Sequence, residues 1–289
     1  MSSSIRPSQG LPLAPVLSPA WRRALHDSVC QPPRSPRQPL LINGVRVGSV
    51  EEGILQSLPA QALAGQNFDV VHHGLEGTWQ IRGAATEALQ RLALALYECD
   101  VGQVRRQWRQ ELLAVCDESG AVLAHAERGV MRLLGLRTRA VHLHALDCDG
   151  RVWLQQRALT KATDPGLWDT LVGGMIATDE TLQSALARET WEEAGLRLDQ
   201  LTQLQPAGNF MVQRPNAVDG GVGYVVERIH WYRCFLPPGV RPCNQDGEVA
   251  QFACFDAAAL QALLAQQALA TEAMLILSDV ASLAFPDLV

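Results

Sequence analysis

Glu189, Glu192 and Glu193 stand at i, i+3 and i+4. On a helix that spacing gathers three carboxylates on one face. One to two turns earlier the same face carries Leu182, Ala185 and Leu186, so an apolar, core-facing stripe runs into three acids. Crowded carboxylates repel one another and are costly to desolvate unless a positive charge neutralises them. A hard divalent cation does this, and Mg²⁺ takes carboxylate oxygens together with substrate phosphates. Arg188 lies four residues before Glu192 and can orient a carboxylate without occupying the cation's place. Gly174, ahead of the helix, lets the chain approach closely, and Gly195 supplies a helix stop. A solvated acidic face on an ordinary amphipathic helix would explain the acids, but not the glycines and Arg188 together.

Residues 173–196, GGMIATDETLQSALARETWEEAGL, resemble the Nudix box, G-x5-E-x7-R-E-U-x-E-E-x-G-U, where U is aliphatic. Gly174, Glu180, Arg188, Glu189, Glu192, Glu193, Gly195 and Leu196 occupy the required positions, while Thr190 stands where an aliphatic residue is usual. The resemblance implies an α/β fold, a Nudix α/β/α sandwich with a mixed sheet. It implies hydrolysis of a diphosphate linkage with Mg²⁺ or Mn²⁺ as cofactor. Glu192 and Glu193 would be the principal ligands, Glu189 a ligand or base-assisting group, and Arg188 their orienting partner. Glu180 would be a supporting acid, and a backbone carbonyl at Gly173 or Gly174 a further ligand. For the catalytic base, Glu248 in NQDGEV is the first candidate and Glu227 in VVERIHWY the second. Each is equally open to reading as a solvated or ion-paired acid.

At 289 residues the chain is long enough for two domains of roughly 100–200 residues. The net charge of −6 gives no general affinity for nucleic acid or an anionic membrane. Seven scattered cysteines, odd in number and without a CxxC pair, argue for a reducing compartment, and a cytoplasmic location is expected. No stretch approaches the roughly 18 apolar residues of a membrane span. Residues 1–38 are rich in Ser, Pro and Arg; a transit peptide shares that composition, but a partly ordered N-terminal arm is the preferred reading. The expected partner is a small-molecule diphosphate, and a homodimer is possible.

Three parts are expected: a flexible arm over 1–18, an accessory α/β domain over 19–135, and a Nudix domain over 136–289. In the accessory domain a short helix follows Ser18, and Asn43-Gly44 marks a hairpin within LLINGVRVGSV. Helices are predicted over 51–58, 84–98 and 127–134, with strands at 68–72 and 78–82 and a second hairpin around 118–120. Nothing there has the spacing of a catalytic or metal site. In the second domain, strands are predicted at 140–146, 152–156, 168–172, 207–213, 224–236 and 249–255. The box helix is predicted from Thr178, and two helices close the chain.

The segments LLINGVRVGSV, PGLWDTLVGGM and DGEVAQFACFD together resemble a Nudix subfamily related to the one joined to thiamin pyrophosphokinase in fungi. That resemblance implies thiamin diphosphate, or its damaged oxo and oxy analogues, as substrate, giving the monophosphate and phosphate. The chain departs from the subfamily at Tyr232–Pro237, where an Asp-Leu-x-Leu-Pro ending is usual. The Pro-Trp-Pro-Phe-Pro tract of NADH diphosphatases and the active-site cysteine motif of isopentenyl diphosphate isomerases are absent. A nucleoside diphosphate derivative of the ADP-ribose or dinucleotide type is the alternative substrate, and a non-enzymatic nucleotide-sensing module the alternative role. Trp168, Phe210 and Trp231 could stack on a substrate ring or simply pack in the core.

Overall fold

The computed structural model describes residues 17–284 apart from 75 and 217–221. The arm predicted over 1–18 therefore lies almost wholly outside the described residues. Helix α1 (Pro19–Val29) starts where Ser18 Oγ accepts the Trp21 N–H at 3.2 Å, with Pro19 at the first helical position.

Strands β1 (Arg37–Ile42) and β2 (Val45–Glu51) form the first hairpin. Asn43 and Gly44 both have positive φ, 47° and 86°, as a tight hairpin turn requires. A single helical turn, α2 (Ala60–Leu63), leads to β3 (Phe68–His73) and β4 (Thr78–Gly83). The four strands lie in the order β2-β1-β4-β3, with β1 and β4 parallel. Helix α3 (Ala85–Glu98) buries Leu89, Leu92 and Leu96 against Leu40, Ile42 and Ile81 of this sheet. The short α4 (Val104–Gln107) and the hairpin β5 (Leu112–Cys116) and β6 (Val122–Glu127) complete the domain. Two predicted helices are not formed. Residues 52–57 are turns, because Gly53 adopts φ +92° and interrupts any helix, and 127–134 reduces to a single 3₁₀ turn at Arg128–Val130.

The second domain opens with β7 (Arg137–Leu146) and β8 (Val152–Arg157), followed by β9 (Trp168–Thr170) and β10 (Val172–Met175). After the box helix α5 (Leu182–Ala194) come β11 (Thr202–Pro215), β12 (Tyr224–Phe235) and β13 (Val249–Phe255). Helices α6 (Ala257–Ala265) and α7 (Thr271–Ala284) follow. The sheet runs β11-β12-β7-β8-β13 and is mixed, since β12 and β7 are parallel while its other pairs are antiparallel. Strands β7 and β8 pair only at Ala145–Trp153 and Leu146–Val152. Beyond that, β9 pairs with β8 and β10 with β7. The single strand predicted over 168–172 is thus divided between two partners, and the chain crosses at Leu171.

Helix α5 covers one face of the sheet, with Ala185 and Leu186 against Val141 and Leu143. Helices α1, α6 and α7 cover the other. This is an α/β/α sandwich with a mixed sheet, preceded by a smaller α/β unit. One element changes sides relative to the sequence reading. Leu25 and Val29 of α1 pack on Val212, Ile229 and Leu275, so α1 joins the second domain although 19–135 had been expected as one unit. Met175 packs on the first domain's core, and Thr178 Oγ1 donates to Leu112 O at 2.8 Å, so the first domain touches the box loop directly. No helix among the described residues is long and apolar enough to cross a membrane.

Candidate active site

The box helix begins at Leu182, one turn later than Thr178. Thr181 Oγ1 accepts the Ser184 N–H at 3.1 Å, and Ser184 Oγ accepts the Thr181 N–H at 2.9 Å, a reciprocal cap that fixes the start. Residues 178–180 form a turn instead, in which Glu180 Oε2 accepts the Ala177 N–H at 2.9 Å. That places Glu180 to receive Arg188 Nε at 2.6 Å and Nη2 at 2.8 Å. Nη2 also reaches Met175 O at 3.0 Å, while Nη1 donates to Glu189 Oε1 at 2.7 Å and Glu192 Oε2 at 2.9 Å. Arg188 thus ties the loop to the helix and two of the three acids to each other. The hydrogen bond from Arg188 holds Glu180 below the usual carboxylate range.

Glu193 is only 2% exposed. Its Oε2 accepts the Gly173 N–H at 2.8 Å and Gln155 Nε2 at 2.9 Å. Burial pushes its carboxyl up to about 8. Burial raises Glu189 as well, against the opposing pull of Arg188. The glycines are needed for contact as much as for conformation. A Cβ on Gly174 would lie 2.0 Å from Glu189 Cδ, and one on Gly173 would lie 2.5 Å from His142 Cε1. Gly174→Ala is therefore expected to displace Glu189 and lower kcat about a hundredfold, the scale of a 1 Å misplacement, with a lower Tm. Steady-state kinetics and thermal unfolding check this; an unchanged kcat would show that Glu189 does not need its present position.

Thr190, at the usually aliphatic box position, is fully buried and returns its hydroxyl to Leu186 O at 2.5 Å, as a helical threonine can. At the helix end, Gly195 has φ +62°, and its Cβ would meet Cys243 O at 2.6 Å. The loop before β13 docks there: the Cys243 N–H donates to Ala194 O at 2.7 Å and the Gln245 N–H to Glu192 O at 3.1 Å. This capping loop carries Glu248 to the box. Glu248 acts electrostatically on Glu189 and pairs with Lys161, whose charge also reaches Glu193.

Glu227 lies elsewhere. Its Oε1 accepts Thr138 Oγ1 at 2.9 Å. It faces His142 and Glu272 beside Asp169, a group on which Arg157 and Arg214 also act. His142 is buried, bonded through Nδ1 to Thr170 Oγ1 at 2.9 Å, and its pKa is depressed by burial. The aromatic candidates separate too. Trp231 is 1% exposed and cannot stack on a ligand. Phe210 packs under the α1–α7 layer, and Trp168 sits edge-on to Phe255 at 4.8 Å beside the α6–α7 core. All three fall on strands whose aromatic positions face helices.

The acids can hold a hard cation by chemistry and setting. Their donors are carboxylate oxygens, Gly174 leaves Glu189 room over the loop, and Gln155 Oε1 is buried beside Glu193 without a partner. Among the described residues no three acid, histidine or cysteine groups are already drawn around one point. Arg188 Nη1 takes one oxygen each of Glu189 and Glu192 and leaves the other, Glu189 Oε2 and Glu192 Oε1, to offer a cation. Sequence reasoning missed Gln155 and Lys161. Lys161 is the chain's single lysine, in a polar loop, and Gln155 is a buried amide in a strand; neither type nor spacing ties them to the box in the sequence.

The family profile described as the NUDIX domain matches residues 136–274. An uncharacterized Nudix hydrolase of Streptomyces coelicolor is 39% identical over 85 residues, 29% of this chain and 47% of its own. One of Pseudomonas aeruginosa is 35% identical over 105 residues, 36% of this chain and 60% of its own. An isopentenyl-diphosphate Delta-isomerase of Clavibacter michiganensis is 31% identical over 100 residues, 33% and 50% of the two chains. The chain spans about half the length of the curated relatives it matches. Among solved structures, a Deinococcus radiodurans protein superposes with a TM-score of 0.46 at 20% identity, covering 58% of this chain and 97% of that one. The NUDIX domain of Shewanella oneidensis NrtR, complexed with ADP ribose, gives 0.38 at 17% identity, with 50% and 87% covered. The profile spans the whole box, whose glycines, arginine and acids stand in mutual contact on one loop and helix, and residues 136–274 of this chain are a Nudix domain.

Proposed function

We propose that this domain hydrolyses a phosphoric anhydride with a divalent cation, Mg²⁺ or Mn²⁺, held by Glu189, Glu192 and Glu193. The observation that carries this reading is the single clamp in which Arg188, braced by Glu180, orders Glu189 and Glu192 beside the buried Glu193. Phosphoric anhydrides resist water because their charged oxygens repel a nucleophile, so catalysis needs neutralised charge and a positioned water. When bound, the cation supplies that neutralisation and a more acidic water. The protein's own part is to aim three carboxylates, exclude solvent around Glu193, and place a proton acceptor.

Glu248 is the favoured acceptor, because the loop that caps α5 brings it to Glu189, whereas Glu227 belongs to the His142 group. Glu248→Gln is expected to lower kcat about 10²–10⁴-fold, the range of a lost general base, with KM little changed. Glu227→Gln should leave kcat near wild type. The reverse pattern in steady-state kinetics would move the base to Glu227.

The substrate reading is thiamin diphosphate or its oxo and oxy analogues, cleaved to monophosphate and phosphate. Its support is the three-segment sequence resemblance, which spans both domains. A nucleoside diphosphate derivative such as ADP-ribose is the competing substrate. Retention of every box acid favours an enzyme over a sensing module, which would have no need of them. The deciding experiment is product identification by the full chain with Mg²⁺, then Mn²⁺. The panel comprises thiamin diphosphate, its oxo and oxy forms, ADP-ribose and NADH. Phosphate release confined to the thiamin compounds supports this reading; preference for ADP-ribose or NADH keeps the chemistry and discards thiamin.

A further inference from the structure

The segment between α1 and β1 crosses from one domain to the other, and a cleft of about 710 Å³ opens beside it. Arg34 and Arg37 come from this segment and the start of β1, Arg46 and Ser49 from β2, and Arg137 from the start of β7. Tyr224 and Gln213 close the far side, and Glu118 is the only carboxylate in the lining. No box residue takes part.

Four guanidinium groups meet here in a chain whose net charge is −6. Among the described residues none of the four forms an ion pair with a carboxylate, whereas Arg128, Arg151, Arg157, Arg188, Arg197 and Arg214 all do. The hydrogen-bond partners of Arg37 are all neutral, and the Glu51 carboxylate acts on it without forming an ion pair. Its Nε donates to Ser49 Oγ at 3.0 Å, its Nη2 to Leu133 O at 2.8 Å and to Ser49 O, and its guanidinium lies 5.9 Å from the Tyr224 ring centroid. Arg137 Nη1 donates to Asp117 O at 2.7 Å, and its buried Nε has no partner. Arg34 and Arg46 are exposed at the cleft's margin.

Fixing guanidinium groups close together without counter-charge is unfavourable, and an incoming anion relieves it. Burial holds Arg37 down to about 10 in spite of the opposing pull of the Glu51 carboxylate, with which it forms no ion pair. The planar guanidinium fork matches phosphate oxygens in pairs. The cleft's volume falls within the roughly 300–1,000 Å³ of small-ligand sites, which favours a small molecule over a polymer.

We propose that this interdomain cleft binds a small ligand through a di- or triphosphate group gripped by Arg34, Arg37, Arg46 and Arg137. The site is separate from the box and does not depend on the hydrolytic reading.

The test uses the full chain in chelator, so that cation-dependent binding at the box does not contribute. Inorganic triphosphate and ADP are titrated separately by calorimetry. Both should bind saturably and more weakly as salt rises. The double variant Arg34→Glu/Arg46→Glu changes exposed side chains only and should weaken both probes by at least about tenfold, ~1.4 kcal/mol. Arg91→Glu, on the exposed face of α3, and Glu192→Gln should bind both as wild type does. Tighter binding of ADP that is lost in Tyr224→Leu would identify a nucleotide; equal binding of the two probes would identify a bare oligophosphate. Either supports the site. Absence of saturable binding, or affinities unchanged in the double variant, would overturn it.

Discussion

Glu192→Gln is expected to lower kcat about a thousandfold while leaving the fold intact, a loss of ~4 kcal/mol of transition-state stabilisation. The two effects separate because of where the side chain lies. The Glu192 side chain is 42% exposed and, among the described residues, is bonded only to Arg188 Nη1, so an amide of the same shape disturbs no packing. Arg188 keeps its bonds to Glu180, Glu189 and Met175 O. What disappears is the negative charge that the proposed site would offer to a cation and a diphosphate. Kinetics at saturating Mg²⁺ beside far-ultraviolet circular dichroism and Tm measure both quantities. Full activity with an intact fold would remove Glu192 from the ligand set.

Glu193→Gln has the second large effect, and here activity and stability should move in opposite directions. Burial raises the Glu193 carboxyl to about 8 in the metal-free fold, above the ordinary carboxylate range of the unfolded chain. Folding therefore favours the protonated form, and its contribution is fully present at low pH. It is lost as pH rises from the ordinary carboxylate range toward about 8. An amide cannot ionise, and its oxygen can still accept from Gly173 N–H and Gln155 Nε2. In chelator at alkaline pH the variant should be more stable than wild type by about 2 kcal/mol, or roughly 4–8 °C in Tm. Its Tm should also vary less with pH. Saturating Mg²⁺ should raise the wild-type Tm by mass action and leave the variant's almost unchanged, with turnover abolished. Equal pH profiles for the two metal-free proteins would show that Glu193 does not titrate as its burial implies.

The box was legible because its chemistry is local. Gly174, Arg188 and the three acids lie within about six turns of chain, so spacing alone puts them together. The β13 boundaries were likewise visible in a short pattern. What was not legible depended on partners distant in sequence. Gln155 reaches Glu193 across 38 residues and Lys161 reaches Glu248 across 87, and no local pattern marks either. Helix α1 was read correctly as a helix but grouped with the wrong domain, because an amphipathic stripe shows that a face is buried and not what buries it. The same gap left Trp231 open: an aromatic on a strand fits a core and a stacking wall equally well until the covering helix is known. Thr190 shows the converse. Its hydroxyl breaks the box pattern, but the helix supplies its own acceptor at Leu186 O, and the packing survives.

The contact of Thr178 with Leu112 O, and of Met175 with the first domain's core, means that the box loop is braced from outside its own domain. The first domain is thus part of the setting in which Gly173 and Gly174 meet the acids.

The most direct test of the central claim is a Mn²⁺ titration of chelator-stripped wild type and Glu192→Gln, with bound Mn²⁺ read by electron paramagnetic resonance and phosphate release measured in the same samples. The account predicts that wild-type turnover is absent without cation and rises in proportion to bound Mn²⁺. In Glu192→Gln, Mn²⁺ should bind weakly and turnover should stay near background. Diphosphate hydrolysis that persists in chelator, or that proceeds equally in the variant, would contradict it.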